Sequence, residues 1–247
     1  MQDIAVAAPG IRAFRWSCDG RYTGMKSFYA VGRVESGGSE YRSAGKTWRA
    51  SAGTVVLKQP GDVHHDVSHA GAVTIQVVVL PTSAVAAAAG RLRVQPQLAA
   101  NDERAAAFHR LHDAIAGTHE RLAIDVAVTE AVAAFTALDT ACTYPAAIRR
   151  AMELLRTRLA ESVSLDELAA EVGLDKFHLC HTFRAQLGLP PYAYLTQLRI
   201  QRAKALLAAG VMPRDVAPRV GLYDQSQLNR HFRRIVGVTP GEYQRRA

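Results

Sequence analysis

An internal repeat in the last third of the chain constrains the fold more than any other feature of the sequence. Two segments share one pattern, offset by 48 residues at Gly173 and Gly221 and by 49 from Leu179 and Leu228 onward. One residue is therefore inserted in the turn of the second copy, and the agreement indicates two copies of one supersecondary unit. The shared positions are Leu168, Ala169, Val172, Gly173, Leu174, Leu179, Phe183, Arg184, Gly188 and Pro191, then Val216, Ala217, Val220, Gly221, Leu222, Leu228, Phe232, Arg233, Gly237 and Pro240.

Each copy has the signals of a short helix, a glycine turn and a second helix. In the first copy, Ser164 followed three residues later by Glu167 is a capping box, in which each side chain hydrogen-bonds the backbone of the other residue. Gly173 can adopt the positive φ that ends a helix, and Asp175 is a good N-cap for the next one. The second copy repeats this order around Gly221. This arrangement is the helix-turn-helix of DNA-binding proteins.

The second helix of each copy has an apolar side and a polar side. Leu179 and Phe183, like Leu228 and Phe232, are four residues apart on one helical face, so we expect them to lie in the core. The remaining faces carry polar, aromatic and basic side chains that are free to meet a partner.

The polar side of the second copy suits base recognition. Arg230 can form two hydrogen bonds with guanine, and Gln225 and Asn229 can do so with adenine. Other basic side chains suit the phosphates, which position a protein on DNA without reading its sequence. We predict phosphate contacts for Lys176, Arg184, Lys204, Arg233 and Arg234.

Residues 191–209, between the two copies, predict one long helix with an apolar stripe. Pro191 suits its first turn, and Gly210 suits its end. At 1.5 Å per residue the helix is about 28 Å long, and one turn of DNA is about 34 Å long. A helix of this length can place two recognition helices in successive major grooves.

The charge of the chain is concentrated in this repeat-containing half. Residues 145–247 carry 16 Lys and Arg against 9 Asp and Glu, a balance of +7, whereas residues 1–144 carry 14 against 13. A basic half beside a nearly neutral half indicates a polyanionic partner for one domain only.

The cysteines and the hydropathy pattern indicate a soluble, cytoplasmic protein. Cys18, Cys142 and Cys180 lie far apart and form no CxxC pair, which favours a reducing compartment. The first 15 residues lack the basic start and apolar run of a signal peptide. No apolar stretch reaches the length of about 20 residues that a membrane span needs, so we expect no membrane partner.

The first half of the chain changes from a strand pattern to a helix pattern. Residues 11–80 contain short runs of β-branched and aromatic residues separated by glycine turns, which favours a small antiparallel barrel or sandwich. Residues 102–116 and 122–138 then predict two helices. Tyr144-Pro145 predicts a boundary, because the residue before proline avoids the helical region.

The predicted fold class is therefore α+β, with three regions. Residues 1–98 form a β-barrel domain, residues 99–143 a helical linker that pairs two subunits or packs on the barrel, and residues 144–247 an all-α domain of two helix-turn-helix units. Pro218, inside a predicted helix of the second unit, is expected to kink it.

Residues 148–243 closely resemble the arabinose-regulator (AraC/XylS) family of transcription factors. The most specific match comprises Ala217, Val220-Gly221-Leu222, Asp224-Gln225-Ser226, Leu228, Arg230, Phe232-Arg233, Gly237-Val238-Thr239-Pro240 and Tyr243. The resemblance implies two helix-turn-helix subdomains joined by a long helix. By position it implies base contacts from Phe177, Cys180 and His181 in the first unit and from Gln225, Ser226, Asn229 and Arg230 in the second.

The first domain resembles, more loosely, the cupin-like barrel that senses effectors in many of these regulators. Residues 53–64 are similar to the second cupin motif, but residues 31–48 contain no histidine that could match the first. We therefore expect no metal and no other cofactor. His64 and His65 are adjacent on a strand and point to opposite faces, which also disfavours a shared metal ion.

Candidate effector-pocket residues are mostly aromatic, because ligand pockets are largely apolar with a few polar groups. The alternative for each of them is an ordinary place in the core or a turn. For His109, His112 and His119 we expect a solvated helix face or a dimer contact. The pocket candidates are Trp16, Tyr29, Tyr41, Trp48 and His64.

The sequence thus predicts a sequence-specific, DNA-binding transcription regulator that responds to a small-molecule effector and is not an enzyme. Its expected partners are double-stranded promoter DNA, the effector, a second copy in a homodimer and RNA polymerase. Three alternatives stay open: a cupin-type metalloenzyme with an accessory DNA domain, an alkyl-accepting DNA-repair protein, and a sequence-neutral architectural DNA binder.

Overall fold

The computed structural model divides the chain into two compact units, Met1–Thr143 and Tyr144–Ala247. It describes residues 1–18, 22–43, 45–89, 94–117, 120–138 and 144–246. Cys142 and His119, which the sequence analysis discussed, lie outside the described residues, as does the side chain of Cys18.

The first unit contains two antiparallel β-sheets. The strands are β1 (Gln2–Ile4), β2 (Arg12–Cys18), β3 (Thr23–Met25), β4 (Tyr29–Ser36), β5 (Gly38–Ser43), β6 (Lys46–Ser51), β7 (Val55–Lys58), β8 (Val63–His69), β9 (Val73–Leu80) and β10 (Gln97–Leu98). The six-stranded sheet has the order β1-β2-β9-β4-β7-β10, and the four-stranded sheet has the order β3-β8-β5-β6. Among the described residues the two sheets do not join into one closed barrel.

Helices cover one face of the six-stranded sheet. They are α1 (Thr82–Ala89), a short 3-10 helix (Glu103–Ala105), α2 (Ala106–Gly117) and α3 (Arg121–Ala137). Val31, Val78 and Leu80 of the sheet form one apolar core with Phe108 of α2 and Phe135 of α3. Fully burying side chains of this size stabilises a fold by about 1.5–3 kcal/mol each. The two predicted helices are present, and the mixed fold class is confirmed.

His112 does not lie on a solvated face, as the helix pattern suggested. Its side chain is fully buried on α2, and both ring nitrogens lack a hydrogen-bond partner among the described residues. Burial lowers the pKa of His112 to about 3, and nearby Arg33 and His109 act in the same direction. The expectation of an exposed or dimer-facing His112 is wrong, because α2 turns this side toward the sheet, where the backbone of His112 contacts Gln76.

The second unit is helical throughout and contains both copies of the repeat. Its helices are α4 (Ala146–Thr157), α5 (Leu165–Val172), α6 (Lys176–Leu187), α7 (Pro191–Ala208), α8 (Pro213–Arg219), α9 (Gln225–Val236) and α10 (Pro240–Arg246). The two helix-turn-helix units are α5–α6 and α8–α9, and the connecting helix α7 ends one residue before the predicted end. Pro218 is the penultimate residue of α8, so the short helix ends beside it.

The local signals of the repeat form the contacts that the sequence predicted. Ser164 and Glu167 make both hydrogen bonds of the capping box. Gly173 adopts a φ of 70°, and the Asp175 carboxylate accepts hydrogen bonds from the backbone N–H groups of Phe177 and His178. These caps fix where α5 ends and α6 begins.

Candidate nucleic-acid interface and interior polar cluster

Helix α9 presents one continuous polar face on a buried apolar base. Leu228 and Phe232 are fully buried, so the opposite side of the helix faces solvent. The Asp224 carboxylate accepts a hydrogen bond from Gln227 N at 2.7 Å, and the Gln227 side chain accepts one from Tyr223 N at 2.8 Å. The exposed face carries the predicted base-contacting residues of the second unit, Gln225, Ser226, Asn229 and Arg230.

Helix α6 presents a different surface on the same scaffold. Leu179 and Phe183 are its buried base. Phe177 is 78% exposed, His181 is exposed, and Cys180 is half-buried with a free thiol. This face offers an apolar ring and an imidazole where α9 offers amides and a guanidinium.

Basic side chains flank both recognition helices. Arg184 and Arg233 are exposed at equivalent positions of α6 and α9. Arg234 is exposed, and its guanidinium lies 3.1 Å from Nδ1 of His231. The Lys176 ammonium lies 3.1 Å from the Asp166 carboxylate. These four cations lie on α6 and α9, the helices that carry the predicted base contacts.

Lys204, the fifth predicted phosphate contact, lies on the connecting helix α7. It is half-buried, and its ammonium lies 5.6 Å from the centre of the Tyr243 ring on α10. That ring packs edge-on against Phe232 of α9, with 5.5 Å between ring centres.

A polar cluster in the interior of the first unit connects the two sheets. The Nζ of Lys58, on β7, lies 2.5 Å from Nδ1 of His64 on β8, and Nε2 of His64 lies 2.7 Å from the Asp66 carboxylate. The His64 ring stacks on Tyr41 with 4.5 Å between ring centres, and the Lys58 amine lies 4.7 Å from the same Tyr41 ring. Tyr41, Lys58 and Asp66 are buried. We call Tyr41, Lys58, His64 and Asp66 the interior polar cluster.

Burial sets the protonation of this cluster. Desolvation lowers the pKa of Lys58 to about 7, with repulsion from Lys26 adding to it. Desolvation also lowers the pKa of His64 to about 3, and the nearby Lys58 acts in the same direction. The imidazole is therefore neutral at pH 7, so its Nδ1 accepts a hydrogen bond from Lys58 while its Nε2–H donates to Asp66. Burial is the largest single influence on the pKa of Asp66 and raises it. The hydrogen bonds from His64 and from the backbone N–H of Tyr22, with the attraction of His64 and His69, together outweigh burial and leave the pKa below its ordinary value.

The predicted pocket residues divide between this cluster and other places. Tyr41 and His64 belong to the interior polar cluster, and Trp48 packs beside Tyr41 with its indole N–H bonded to Ser43 O at 2.9 Å. Trp16 is half-buried and lies edge-on to Tyr22, with 6.4 Å between ring centres. Tyr29 lies in the separate core under the helices, with its ring edge-on to Phe135. The structure does not bring Tyr29 together with the other candidates.

Lys58 and Asp66 were missed in the sequence. For Asp66 the signal was present, because His64 and Asp66 are two residues apart on one strand and share a face. For Lys58 there was none, since lysine is almost never fully buried unless it is paired. Among the described residues, no group of three or more His, Cys, Asp and Glu side chains is placed to hold a metal ion.

None of the helices that the structure describes is both long enough and apolar enough to cross a membrane.

Two family models match the chain, one on each unit. Residues 9–132, half of the chain, match the AraC-like ligand binding domain. Residues 168–246 match a helix-turn-helix domain. The boundary between the two compact units, at residues 143 and 144, lies in the gap between the two matched ranges.

Two named transcription regulators are similar in sequence to part of this chain. The uncharacterised helix-turn-helix regulator YbfI of Bacillus subtilis is 38% identical over 81 residues, 33% of this chain and 30% of that protein. The arabinose operon regulatory protein of Escherichia coli is 34% identical over 98 residues, 39% of this chain and 34% of that protein. The aligned parts thus span about a third of these relatives.

Solved structures of ToxT from Vibrio cholerae resemble nearly the whole chain in fold. Fatty acid-bound ToxT from Vibrio cholerae matches with a TM-score of 0.53 at 14% identity, over 95% of this chain and 94% of ToxT, which is a likeness of fold. With a ligand-binding domain model over half of the chain and a helix-turn-helix model over the repeat, the chain belongs to the AraC family of transcriptional regulators.

Proposed function

We propose that this regulator reads a specific promoter element by placing α6 and α9 in the major groove of DNA. The observation that carries the proposal is the exposed face of α9, where Gln225, Asn229 and Arg230 stand on a buried base. These three side chains form two-point hydrogen bonds with adenine or guanine edges. We assign base contacts in the first unit to Phe177, Cys180 and His181, and phosphate contacts to Lys176, Arg184, Arg233 and Arg234. Lys204 would reach a phosphate only after leaving the Tyr243 ring.

The test is selection of binding sites from a random duplex library by the full chain. We expect one enriched motif, bound at least about 1,000-fold more tightly than random DNA, with affinity that falls steeply as the salt concentration rises. Equal affinity for all duplexes would overturn the proposal and favour a sequence-neutral architectural binder.

We further propose that the effector binds between the two sheets, against the interior polar cluster. Both carboxylates of this region already accept hydrogen bonds, Asp66 from His64 and Asp62 from the backbone and side chain of Gln59. The one hydrogen bond that the described residues give the buried Lys58 amine is to His64. Its remaining N–H groups have no hydrogen-bond acceptor among the described residues, and a ligand carrying an acceptor would satisfy them.

A thermal-shift screen of metabolites tests this site. Oleate belongs among the probes, because ToxT was solved with an unsaturated fatty acid. We expect a hit to raise the melting temperature of the wild type and of Lys46→Met, a variant at an exposed lysine on β6, but not of Lys58→Met. A hit that stabilises Lys58→Met as much as the wild type would place the effector elsewhere.

The partner in a homodimer is, in our proposal, a second copy of α3. Its surface carries Leu122, 68% exposed, and Val126, 50% exposed, one turn apart, with the exposed Ala133 further along the same side. Sedimentation should show a dimer that Val126→Glu dissociates. A dimer that survives this substitution would exclude the α3 surface.

The remaining assignments follow from the regulatory role. Residues 1–98 would sense the effector, residues 99–143 would relay its state, and residues 144–247 would bind DNA in the cytoplasm and act on RNA polymerase. We propose no enzymatic activity. Stoichiometric iron, manganese or zinc in the purified protein would instead favour the metalloenzyme alternative.

A further inference from the structure

The segment 159–161, which follows α4, is held from two sides within the second unit. Arg199 of the connecting helix α7 holds it on one side, and the Gly221 turn of the second helix-turn-helix lies against it on the other. We call Arg199, residues 159–161 and Gly221 the interunit clamp. The clamp joins the two helix-turn-helix units by non-covalent contacts, in addition to the covalent connection through α7.

Arg199 is buried and bonds only backbone carbonyls in this contact. Its Nε donates to Leu159 O at 2.9 Å, and its Nη2 donates to Glu161 O at 2.8 Å. Burial lowers the pKa of Arg199, but a guanidinium stays charged in proteins. The planar guanidinium therefore fixes the segment to α7 at two points, which a single flexible donor would not do.

Gly221 brings the second helix-turn-helix directly onto this segment. A Cβ atom on Gly221 would lie 2.7 Å from Ala160 O and 2.8 Å from Ala160 Cα, closer than van der Waals contact permits. Leu159 also packs against the core of the second helix-turn-helix. The backbone of Ala160 and the turn at Gly221 therefore touch with no room for a side chain.

The equivalent glycine of the first copy has no such neighbour. Gly173 has nearly the same backbone conformation, with φ of 70° against 73° for Gly221. A Cβ atom on Gly173 would meet nothing within 4 Å among the described residues. The turn conformation accounts for glycine at both positions, but the close approach to Ala160 is a property of Gly221.

We infer that the interunit clamp fixes the angle between α6 and α9, and with it the spacing of the two DNA elements that the regulator accepts. Helix α4 packs on α5 and α6 of the first helix-turn-helix. Holding the segment that follows α4 therefore also holds the first helix-turn-helix. Connection through α7 alone would leave bending of one helix and rotation about its ends, whereas a second contact restricts both. Arg199 and Gly221 are in this view positioning residues that touch no DNA.

The test is a spacing series of duplexes and rests on the proposed DNA recognition. The two elements of the selected motif are moved apart or together by one base pair, and affinity is measured for wild type, Gly221→Ala and Gly173→Ala. Wild type and Gly173→Ala should lose about tenfold or more in affinity on a one-base-pair change, the size of effect of a mismatched base pair. Gly221→Ala should lose less than about threefold, with unchanged base preferences inside each element.

Arg199 supplies a second, independent variant. Arg199→Met should tolerate altered spacing as Gly221→Ala does, and Arg199→Lys should restore part of the discrimination, because lysine keeps a donor. Arg202→Met, at an exposed arginine three residues along α7, is the matched control and should behave as wild type. Spacing selectivity that stays at the wild-type level in both Gly221→Ala and Arg199→Met would overturn the inference, as would equal effects of Gly221→Ala and Gly173→Ala.

The distance between α6 and α9, measured without DNA, tests the clamp independently of DNA recognition. Spin labels at His181→Cys and Asn229→Cys, in a chain with its three native cysteines replaced by serine, report the separation of α6 and α9 without DNA. We expect a narrow distribution with Gly173→Ala and a broader or shifted one with Gly221→Ala or Arg199→Met. A narrow, unshifted distance distribution in Gly221→Ala and Arg199→Met would contradict the inference, whether or not the chain recognises a DNA motif. If the chain failed to recognise a motif, the distance distribution would still test the clamp.

Discussion

The two helix-turn-helix units place equivalent residues at equivalent depths. Leu179 and Phe183 are fully buried in the first, as are Leu228 and Phe232 in the second. Each phenylalanine meets a tyrosine edge-on with 5.5 Å between ring centres, Phe183 with Tyr194 and Phe232 with Tyr243. The surfaces differ, since Phe177, Cys180 and His181 stand where the second unit has Ser226, Asn229 and Arg230.

This difference shows how one scaffold can serve two kinds of reading. A hydrogen-bonding face such as that of α9 distinguishes all four base pairs in the major groove, whereas an apolar ring such as that of Phe177 reaches mainly the thymine methyl group. We therefore expect the second unit to supply most of the specificity, while the first adds affinity and a weak preference.

The largest expected effect is on the shared scaffold. Phe183→Ala and Phe232→Ala should each lower the free energy of unfolding by about 3–5 kcal/mol, because each removes a fully buried ring and leaves a cavity. Urea denaturation followed by circular dichroism measures this, and the exposed Phe177→Ala, expected within about 0.5 kcal/mol, is the control. A loss at one of the two buried positions alone would break the equivalence of the units.

The unequal faces predict unequal losses of DNA binding. Arg230→Ala should weaken binding to the selected motif by about 1–3 kcal/mol and relax the preference at one base pair. His181→Ala, at the equivalent position, should lose less than about 1 kcal/mol, because an imidazole ring cannot form the two-point contact with guanine that a guanidinium forms. Fluorescence anisotropy with the motif and its single-base variants measures both. An equal fall on cognate and altered sites would make Arg230 a phosphate contact.

The starts of the two units differ in capping. α5 begins with the Ser164–Glu167 capping box, whereas α8 begins after Met212 with no side-chain cap. Ser164→Ala should lower the free energy of unfolding by about 1 kcal/mol, because it leaves the backbone N–H of Glu167 without its acceptor. Urea denaturation of this variant beside the exposed-site control Leu165→Ala gives the value. No change in stability would show that the start of α5, like that of α8, needs no side-chain cap.

The smallest expected effect on stability concerns His231, a buried histidine of the second helix-turn-helix that has no counterpart in the first. His231 stands where the first unit has Thr182, and burial, with repulsion from Arg234, Arg230 and Arg199, lowers its pKa. The unfolded chain therefore binds a proton more readily, so stability is lost as the pH falls below about 6.5. His231→Thr should reduce the loss of unfolding free energy between pH 7 and pH 5, measured by urea denaturation. The same pH dependence in both proteins would contradict the shifted pKa.

What the sequence predicted well was set by neighbouring residues. The capping box, the positive-φ Gly173 and the bounds of α7 depend on contacts within a few positions, so periodicity and capping signals indicate them. The burial of Lys58 depends on His64 from the other sheet, and that of Arg199 on carbonyls about 40 residues away. His112 was placed on the wrong face because its helix carries polar residues on both sides. Contacts of this kind follow from how separate strands and helices pack on one another, which a residue pattern does not specify. This holds even for Lys58 and His64, which are only six residues apart.

We propose, in short, two equivalent scaffolds that read DNA through unequal exposed faces. The most direct test transfers the α9 face to α6 by Lys176→Gln, Phe177→Ser, Cys180→Asn and His181→Arg, followed by selection of binding sites from a random duplex library. The account predicts that the weak element of the motif becomes a copy of the strong one, with the spacing unchanged. A motif identical to that of the wild type would contradict it.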